Sequence, residues 1–321
     1  MASPLVTAIC CAYNYARWLP RALDSALAQG LGPELLEVVV VDDGSTDDTP
    51  EVIRPYLASP AIRYVRKQNG GFPSAVSRGL DEARGRYVVF LDADDEWPLD
   101  RRLHAQVEAL ERNPQVGLVY SDMEVIDEHG RTTHPRYLES IGVDHPSGPL
   151  LARLYESNVV SGGALMVRSE LRHLFNPIPA QIRCQDWWIA TRVASVAEIL
   201  WVPGVVYRYR RHGENMNLGQ ADRTANLRDD IEFRRLVLSL PETERLSLRE
   251  VIESARPLIG AGAGYRSLAT VSDADRTRGD ELERRGLALA GAGRPEDACR
   301  TLIAAQAADP SVDRQPLFAQ L

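Results

Sequence analysis

The chain has 321 residues, carries a net charge of −8 and is 44% hydrophobic and 26% charged. That length holds a full core plus a second, smaller domain, and the composition is that of an ordinary globular protein. The acidic balance excludes a general basic surface for nucleic acid and leaves room only for a local patch. The first residues, "MASPLVTAICCAYN", lack a basic segment leading into a long apolar one, so a signal peptide is not expected. "VTAICCAY" reads as a short strand, and "RWLPRALDSALAQG" as a helix with Leu19, Leu23, Ala26 and Leu27 on one face and Gly30 as its stop. "EVVVVDDGSTDDT" is a strand buried on both faces that runs into an acidic turn, with Ser45 or Thr46 expected to cap a helix reaching about Leu57. "AIRYVRK" is a strand and "PSAVSRGLDEARG" a helix. "RYVVFLDADD" is a strand again, "LDRRLHAQVEALERNP" an amphipathic helix and "VGLVYSD" a strand.

This alternation predicts an α/β domain with a mostly parallel sheet, whose ligands bind beyond the carboxyl ends of the strands. Polar groups stand at three such ends: Ala12-Tyr13-Asn14, Asp42-Asp43-Gly44-Ser45 and Asp92-Ala93-Asp94-Asp95. Further on, residues 158–171 read as a strand into a short helix. Residues 184–197 read as a helix with Asp186 in its first turn, and 199–217 as a strand followed by a basic loop. From about residue 221 the chain is almost wholly helical, which places a boundary near 218: a first domain over 1–218 and a helical region over 219–321. Cys10, Cys11, Cys184 and Cys299 lack metal-ligand or disulfide-framework spacing. No apolar run reaches transmembrane length, so a cytoplasmic protein is expected, with peripheral contact at a membrane left open.

The acidic strand end "FLDADDEW" is costly unless a positive charge neutralises it. An EF-hand reading fails, because Trp97 stands where the turn needs glycine and Leu103 where the twelfth position needs glutamate. An aspartyl-nucleophile phosphatase would want Thr or Val where Glu96 stands. "AYNYAR" after the first strand has no glycine, which argues against a dinucleotide fingerprint, and a P-loop motif is absent. A divalent cation holding a diphosphate, Mn²⁺ or Mg²⁺, fits a carboxylate cluster at this place, and a solvated turn capped by Asp95 is the bland alternative.

Taken together, "VTAICCAYNYARWLPRALDSALAQ", "EVVVVDDGSTDDT", "NGG…ARGRYVVFLDADD" and "CQDWWIATRVA" resemble the GT-A fold glycosyltransferases of family 2, over about residues 5 to 215. The resemblance implies a GT-A sheet with a C-terminal helical extension and a metal-dependent inverting transfer from a nucleotide-diphosphate sugar, with UDP favoured. It implies that Ala12, Tyr13, Asn14, Asp43, Gly71 and Asp92 bind the nucleotide, that Arg210 and Arg211 close over the diphosphate, and that Asp94 and His212 hold the metal. Asp186 corresponds to the catalytic base, and Trp187 is an acceptor-wall candidate. The acceptor is expected to be a glycan, a lipid-linked sugar or a metabolite, with a peptide second. A non-catalytic nucleotide-sugar-binding scaffold is the rival from another class.

The plain readings stay beside these: Asp186 as a first-turn carboxylate favoured by the helix dipole, His212 as a surface residue, Trp187 and Trp188 as packing, and Arg208, Arg210 and Arg211 as a solvated strand end. Two positions depart from the family pattern. Ala75-Val76-Ser77 stands where Ala-Arg-Asn is common, with Arg78 late, and Gln185 stands where an acid often precedes the base. Residues 279–310 match one tetratricopeptide repeat by spacing, through Leu282, Gly286, Leu289, Ala298, Leu302, Ala305 and Pro310. One repeat cannot form a solenoid, so a packed helical hairpin is expected, with a homodimer or partner surface as the sharper alternative.

Overall fold

A computed structural model describes residues 3–32, 34–98, 102–213, 215, 223–259 and 271–318. It divides into two compact units, the first Met1–Leu151 with Asn158–Leu218, the second Ala152–Ser157 with Gly219–Leu321. Among the described residues no helix is long and apolar enough to cross a membrane.

The first unit is built on a mixed sheet. Its strands are β1 (Val6–Ala12), β2 (Leu36–Asp42), β3 (Ile62–Arg66), β4 (Tyr87–Phe90), β5 (Val116–Ile126), β6 (Thr132–His134), β7 (Leu165–Arg168) and β8 (Glu198–Arg210). The order is β3-β2-β1-β4-β7-β5-β6, with β8 paired to β5. β2 is buried at every position, as a Val run flanked by two parallel neighbours should be. Each fully buried Val there contributes about 1.5–3 kcal/mol relative to exposure.

The register Ala12↔Asp42 and Ile9↔Phe90 brings the ends of β1, β2 and β4 to one edge. Helices α1 (Leu19–Leu27), α2 (Thr49–Ile53), α3 (Phe72–Glu82) and α4 (Arg102–Arg112) are the crossovers. α3 lies close on β1 because residue 79 is glycine: a Cβ there would stand 2.3 Å from Ile9 Cγ2. At the opposite edge the buried Glu37 is paired to Arg63 at 2.7 Å and accepts the Thr7 hydroxyl at 2.8 Å, so its charge is not left bare.

The mostly parallel mixed sheet is as expected, but three local readings change. β7 is antiparallel to both β4 and β5, and only its four residues are strand, between 3₁₀ turns at Gly162–Ala164 and Ser169–Leu174. Ser45 and Thr46 do not cap the helix after β2. α2 starts at Thr49 and gives way to a 3₁₀ turn over Arg54–Ala58, while Asp47 accepts the Thr49 N–H at 3.0 Å. Ser45 and Thr46 are instead held by the β1 loop: Ser45 Oγ accepts the Asn14 N–H at 3.0 Å, and the Asn14 amide oxygen accepts the Thr46 N–H at 2.8 Å. Asn14 does this from a left-handed backbone, φ 61°, which asparagine tolerates better than most residues. Sequence periodicity also missed β6 and the short helices α5 (Tyr137–Ser140) and α6 (Leu151–Glu156).

The second unit is helical, comprising α6 together with α8 (Arg223–Leu238), α9 (Leu248–Ile259), α10 (Asp273–Gly291), α11 (Pro295–Ala308) and α12 (Gln315–Phe318). α6 is fixed within it by Arg234, which donates to the carbonyls of Tyr155 at 3.0 Å, Glu156 at 3.0 Å and Ser254 at 2.7 Å. α10 and α11 form a close pair. A Cβ at position 286 would come 2.8 Å from Leu302 Cγ, so the crossing needs that glycine. Arg314, fully buried, ties the pair's end through Glu283 at 2.8 Å and the Asp309 carbonyl at 2.6 Å.

Candidate active site

A cleft of about 610 Å³ opens at the carboxyl ends of β1, β2 and β4, within the size range of small-ligand sites. Ala12, Tyr13, Asn14, Asp43, Gly71, Asp92 and Asp94 all line it, so the strand ends singled out in the sequence converge on one space. Cys11, Tyr15, Asn69, Phe72, Arg183, Tyr209 and Asn215 line it too and were not picked out, while Ala75 and Gln185, noted only as departures from the family pattern, also belong to the lining. Tyr15 follows directly on the flagged Tyr13-Asn14. Tyr209 could have been read from "YRYR", where alternate residues of a strand face opposite ways.

Each acidic group at the end of β4 has its own partners. Asp95 is buried and accepts the Arg210 N–H at 2.6 Å and the Tyr207 hydroxyl at 2.7 Å. Glu96 is paired with Arg208 and, at 3.2 Å, with Arg210. Asp94 Oδ2 lies 3.0 Å from His212 Nε2 and accepts the Asn215 amide at 3.3 Å. Asp92 Oδ2 has the Tyr207 hydroxyl at 3.3 Å. The positive charge that permits this cluster is thus partly resident, and it comes from β8.

The two arginines assigned to the diphosphate lie elsewhere. Arg210 is fully buried beneath the acidic turn. Its guanidinium donates to the carbonyls of Asp94 at 3.0 Å and Asp127 at 3.2 Å and sits 5.0 Å from the centre of the Trp18 ring. It braces the turn from behind, because β8 stays paired with β5 as far as Ile126↔Arg210 and carries the side chain inward. Arg211 donates its N–H to the Ile126 carbonyl at 2.8 Å and lays its guanidinium 5.6 Å from the Tyr137 ring centre, outside the cleft lining. His212 is buried and stacked on Trp18, with its imidazole turned to Asp94.

Asp186 lies in the first turn of α7 (Gln185–Ala194). One oxygen accepts the Trp187 N–H at 2.7 Å and the other the Gly162 N–H at 3.1 Å. Burial pushes its carboxyl above the usual range against the pull of those hydrogen bonds. Gln185, its neighbour, lines the cleft. Trp187 is buried within α7 and is not part of the cleft lining, and Trp188 is buried with its indole N–H donating to the Phe175 carbonyl at 3.1 Å. Both tryptophans therefore pack the helix. Asp43, expected to meet the base, accepts the N–H groups of Gly70 at 3.0 Å and Gly71 at 2.8 Å and is paired with Lys67 at 2.6 Å. It lines the cleft while fixing the Gly70-Gly71 turn, where Gly71 takes φ 82°.

Burial and the neighbouring Asp94 charge push the Asp92 carboxyl up to about 7, and the same causes raise Asp95 well above the carboxylate range. A carboxyl raised on folding stabilises below its unfolded pKa, near 3.9, and that contribution is lost as pH rises through the folded value. The protein without added metal is therefore expected to melt at lower temperature at about pH 8 than at about pH 5, with a smaller difference in Asp92→Asn. Calorimetric melting over that range checks this, and a midpoint that rises with pH in both proteins would contradict it.

Asp94 Oδ2, with His212 Nε2 and the Asn215 amide in contact with it and Asp92 in the same cleft lining, offers carboxylate oxygen beside an imidazole nitrogen, a combination that suits Mn²⁺ better than Mg²⁺, which prefers oxygen alone. Among the described residues a different trio, Asp122, Glu139 and His145, has ligand atoms within 4.8 Å of one another. Asp122 is already committed as the cap of α5, accepting the Leu138 N–H at 2.8 Å and the Glu139 N–H at 3.3 Å.

Residues 7–175 match glycosyl transferase family 2. An uncharacterized protein of Mycobacterium tuberculosis is 30% identical over 207 residues, and this chain spans 58% of that relative's length. An uncharacterized glycosyltransferase of Nostoc sp. is 32% identical over 228 residues, 66% of each chain. Among solved structures, S. aureus TarS 1–349 in complex with UDP-GlcNAc aligns at TM-score 0.60 and 19% identity, covering 93% of this chain and 90% of that one. The mannosyltransferase PcManGT from Pyrobaculum calidifontis in complex with GDP-Man and Mn²⁺ aligns at TM-score 0.58 and 23% identity, covering 96% and 86%. These likenesses show the shared fold, a GT-A sheet with helices following it. The match over 7–175 goes further, and the chain belongs to glycosyl transferase family 2.

Proposed function

We propose that the protein transfers a sugar from a nucleotide-diphosphate sugar, with UDP favoured, to a hydroxyl on a glycan, lipid-linked or metabolite acceptor, with inversion at the sugar carbon. The observation that carries this reading is the pairing of Asp92 and Asp94 in one cleft whose lining also includes Gln185, the residue next to Asp186. The complexes of TarS with UDP-GlcNAc and of PcManGT with GDP-Man and Mn²⁺ support a nucleotide-sugar donor and a divalent cation.

In this reading Asp94, Asp92 and His212 hold Mn²⁺ or Mg²⁺. The cation, when bound, supplies positive charge to the leaving diphosphate. Tyr13, 45% exposed and part of the cleft lining, offers a ring face to the base, and Arg183, the basic residue of the lining, faces the donor's negative charge. Asp186 takes the acceptor hydroxyl's proton as that oxygen attacks the anomeric carbon from the side opposite the leaving group. Its carboxyl is better matched to this role near neutral pH because burial raises it, since a base works best with a pKa near the operating pH. A backbone N–H on each oxygen keeps it oriented and leaves lone pairs for the incoming proton.

Asp94→Ala tests the donor side. It removes the carboxylate that faces both His212 and Asn215, and Mn²⁺-dependent binding of the nucleoside diphosphate is expected to weaken by about 100-fold or more, as lost charged ligands at buried sites do. Unchanged Mn²⁺-dependent affinity in the variant, read by calorimetry, would remove Asp94 from the metal site.

A further inference from the structure

Tyr207 of β8 is buried, and its hydroxyl joins two aspartates. It donates to Asp95 Oδ2 at 2.7 Å, accepts the Asp92 N–H at 3.1 Å and stands 3.3 Å from Asp92 Oδ2. The ring is seated on Gly163. A Cβ at that position would lie 2.0 to 2.3 Å from the ring carbons, closer than any real contact, so only glycine lets the tyrosine in. The preceding residue faces the other half of the chemistry. Gly162 donates its N–H to Asp186 Oδ2 at 3.1 Å, and a Cβ there would stand 3.4 Å from Asp186 Cβ. Consecutive glycines of one 3₁₀ turn therefore touch both the candidate base and the tyrosine that orders the donor-side carboxylates. Both meet one short turn of backbone leading into β7, and "SGGA" gave no sign of it in the sequence.

We propose that Tyr207 and the Gly162-Gly163 turn are positioning elements that set Asp186 in register with the Asp92 carboxylate, and so set the spacing between base and donor. The proposal rests on the transferase reading above. Tyr207 is not part of the cleft lining; it acts through Asp92 and Asp95. Displacing a reacting group by about 1 Å costs on the order of 100-fold in rate, so a hydroxyl that fixes the acidic turn has leverage on kcat without touching substrate.

The test uses the full chain and Tyr207→Phe, which keeps the ring on its glycine seat and removes only the hydroxyl. Expected are a fall in kcat of about tenfold or more and a several-fold weaker affinity for UDP or GDP measured calorimetrically with Mn²⁺. Asp95→Asn breaks the same hydrogen bond from its other end. Combined with Tyr207→Phe it should cost little beyond either change alone, because neighbours sharing one bond are not additive. If Tyr207 is only a core aromatic, Tyr207→Phe will lower the melting temperature at most and leave kcat and nucleotide affinity within about twofold, which overturns the proposal. Should Tyr207→Phe fail to fold, Asp95→Asn alone is judged by the same thresholds. A wild type that neither binds UDP or GDP with Mn²⁺ nor transfers sugar overturns the transferase reading, and this proposal with it. A working wild type with unaffected variants overturns this proposal only.

Discussion

Asp186→Asn is expected to lower kcat for sugar transfer by about 10²–10⁴-fold while nucleoside diphosphate affinity stays within about twofold, the range that loss of a general base produces. The substitution keeps the size of the side chain. An amide oxygen can still accept the Gly162 N–H, so the turn and the start of α7 should hold. What disappears is a carboxylate that burial has made more basic than an exposed aspartate. The wild-type rate should fall as pH drops through that raised pKa, because the protonated acid cannot accept the hydroxyl proton. The residual rate of Asp186→Asn should lack that limb. Steady-state rates across pH, alongside calorimetric binding, check both halves. A variant that retains more than about a tenth of the wild-type rate would return Asp186 to the role of a first-turn helix carboxylate.

Arg210→Ala is expected to cost about 3–5 kcal/mol of stability, the range for removing one partner from a buried charged network. Its guanidinium holds the Asp94, Asp127 and Glu128 carbonyls and faces Glu96, all from a fully buried position. Alanine would take the guanidinium away from those carbonyls and from Glu96, and would remove one of the cations around Trp18, which keeps Arg17 4.3 Å from its ring centre. Arg210→Lys should lose most of the same stability, since a single ammonium cannot reach three directions as a planar guanidinium does. Denaturant unfolding measures this. A loss below about 1 kcal/mol for Arg210→Ala would mean that the arginine is solvated and free for the diphosphate after all.

The parts of the fold carried by local pattern were readable. Val38 to Val41 could only be a strand covered on both faces, and the acidic letters after β2 and β4 marked strand ends because nothing else would place charge beside such runs. Strand neighbours are another matter. Leu165–Arg168 looks like any short apolar segment, and its insertion between β4 and β5 in the antiparallel sense depends on pairings far away in sequence. The site shows the same division. Ala12, Tyr13, Asn14, Asp43, Asp92 and Asp94 lie in the cleft because each stands at or just past a strand end, and Gly71 joins them at the start of α3. Arg210 read as a cation for the ligand because its counter-charges, Glu96 and the carbonyls of the acidic turn, are more than a hundred residues away in the chain. "YRYR" did carry a usable signal. Alternation along a strand puts Arg208 and Arg210 on one face and Tyr207 and Tyr209 on the other, and the acidic run from Asp92 to Glu96 needs the first pair as much as any diphosphate does. Arg183 and Asn215 carried no such pattern, for they lie in irregular segments on either side of elements whose packing brings them to the cleft.

The most direct measurement is calorimetric titration of the wild-type protein with UDP, GDP and dTDP, each in Mn²⁺ and in EDTA. One diphosphate, with UDP favoured, should bind in Mn²⁺ and lose that binding in EDTA, as a cleft lined by Asp43, Asp92 and Asp94 requires of an anionic ligand. If none binds in Mn²⁺, or if binding is as tight in EDTA, the acidic end of β4 does not hold a metal–diphosphate, and the account of this cleft as a nucleotide-sugar site is contradicted.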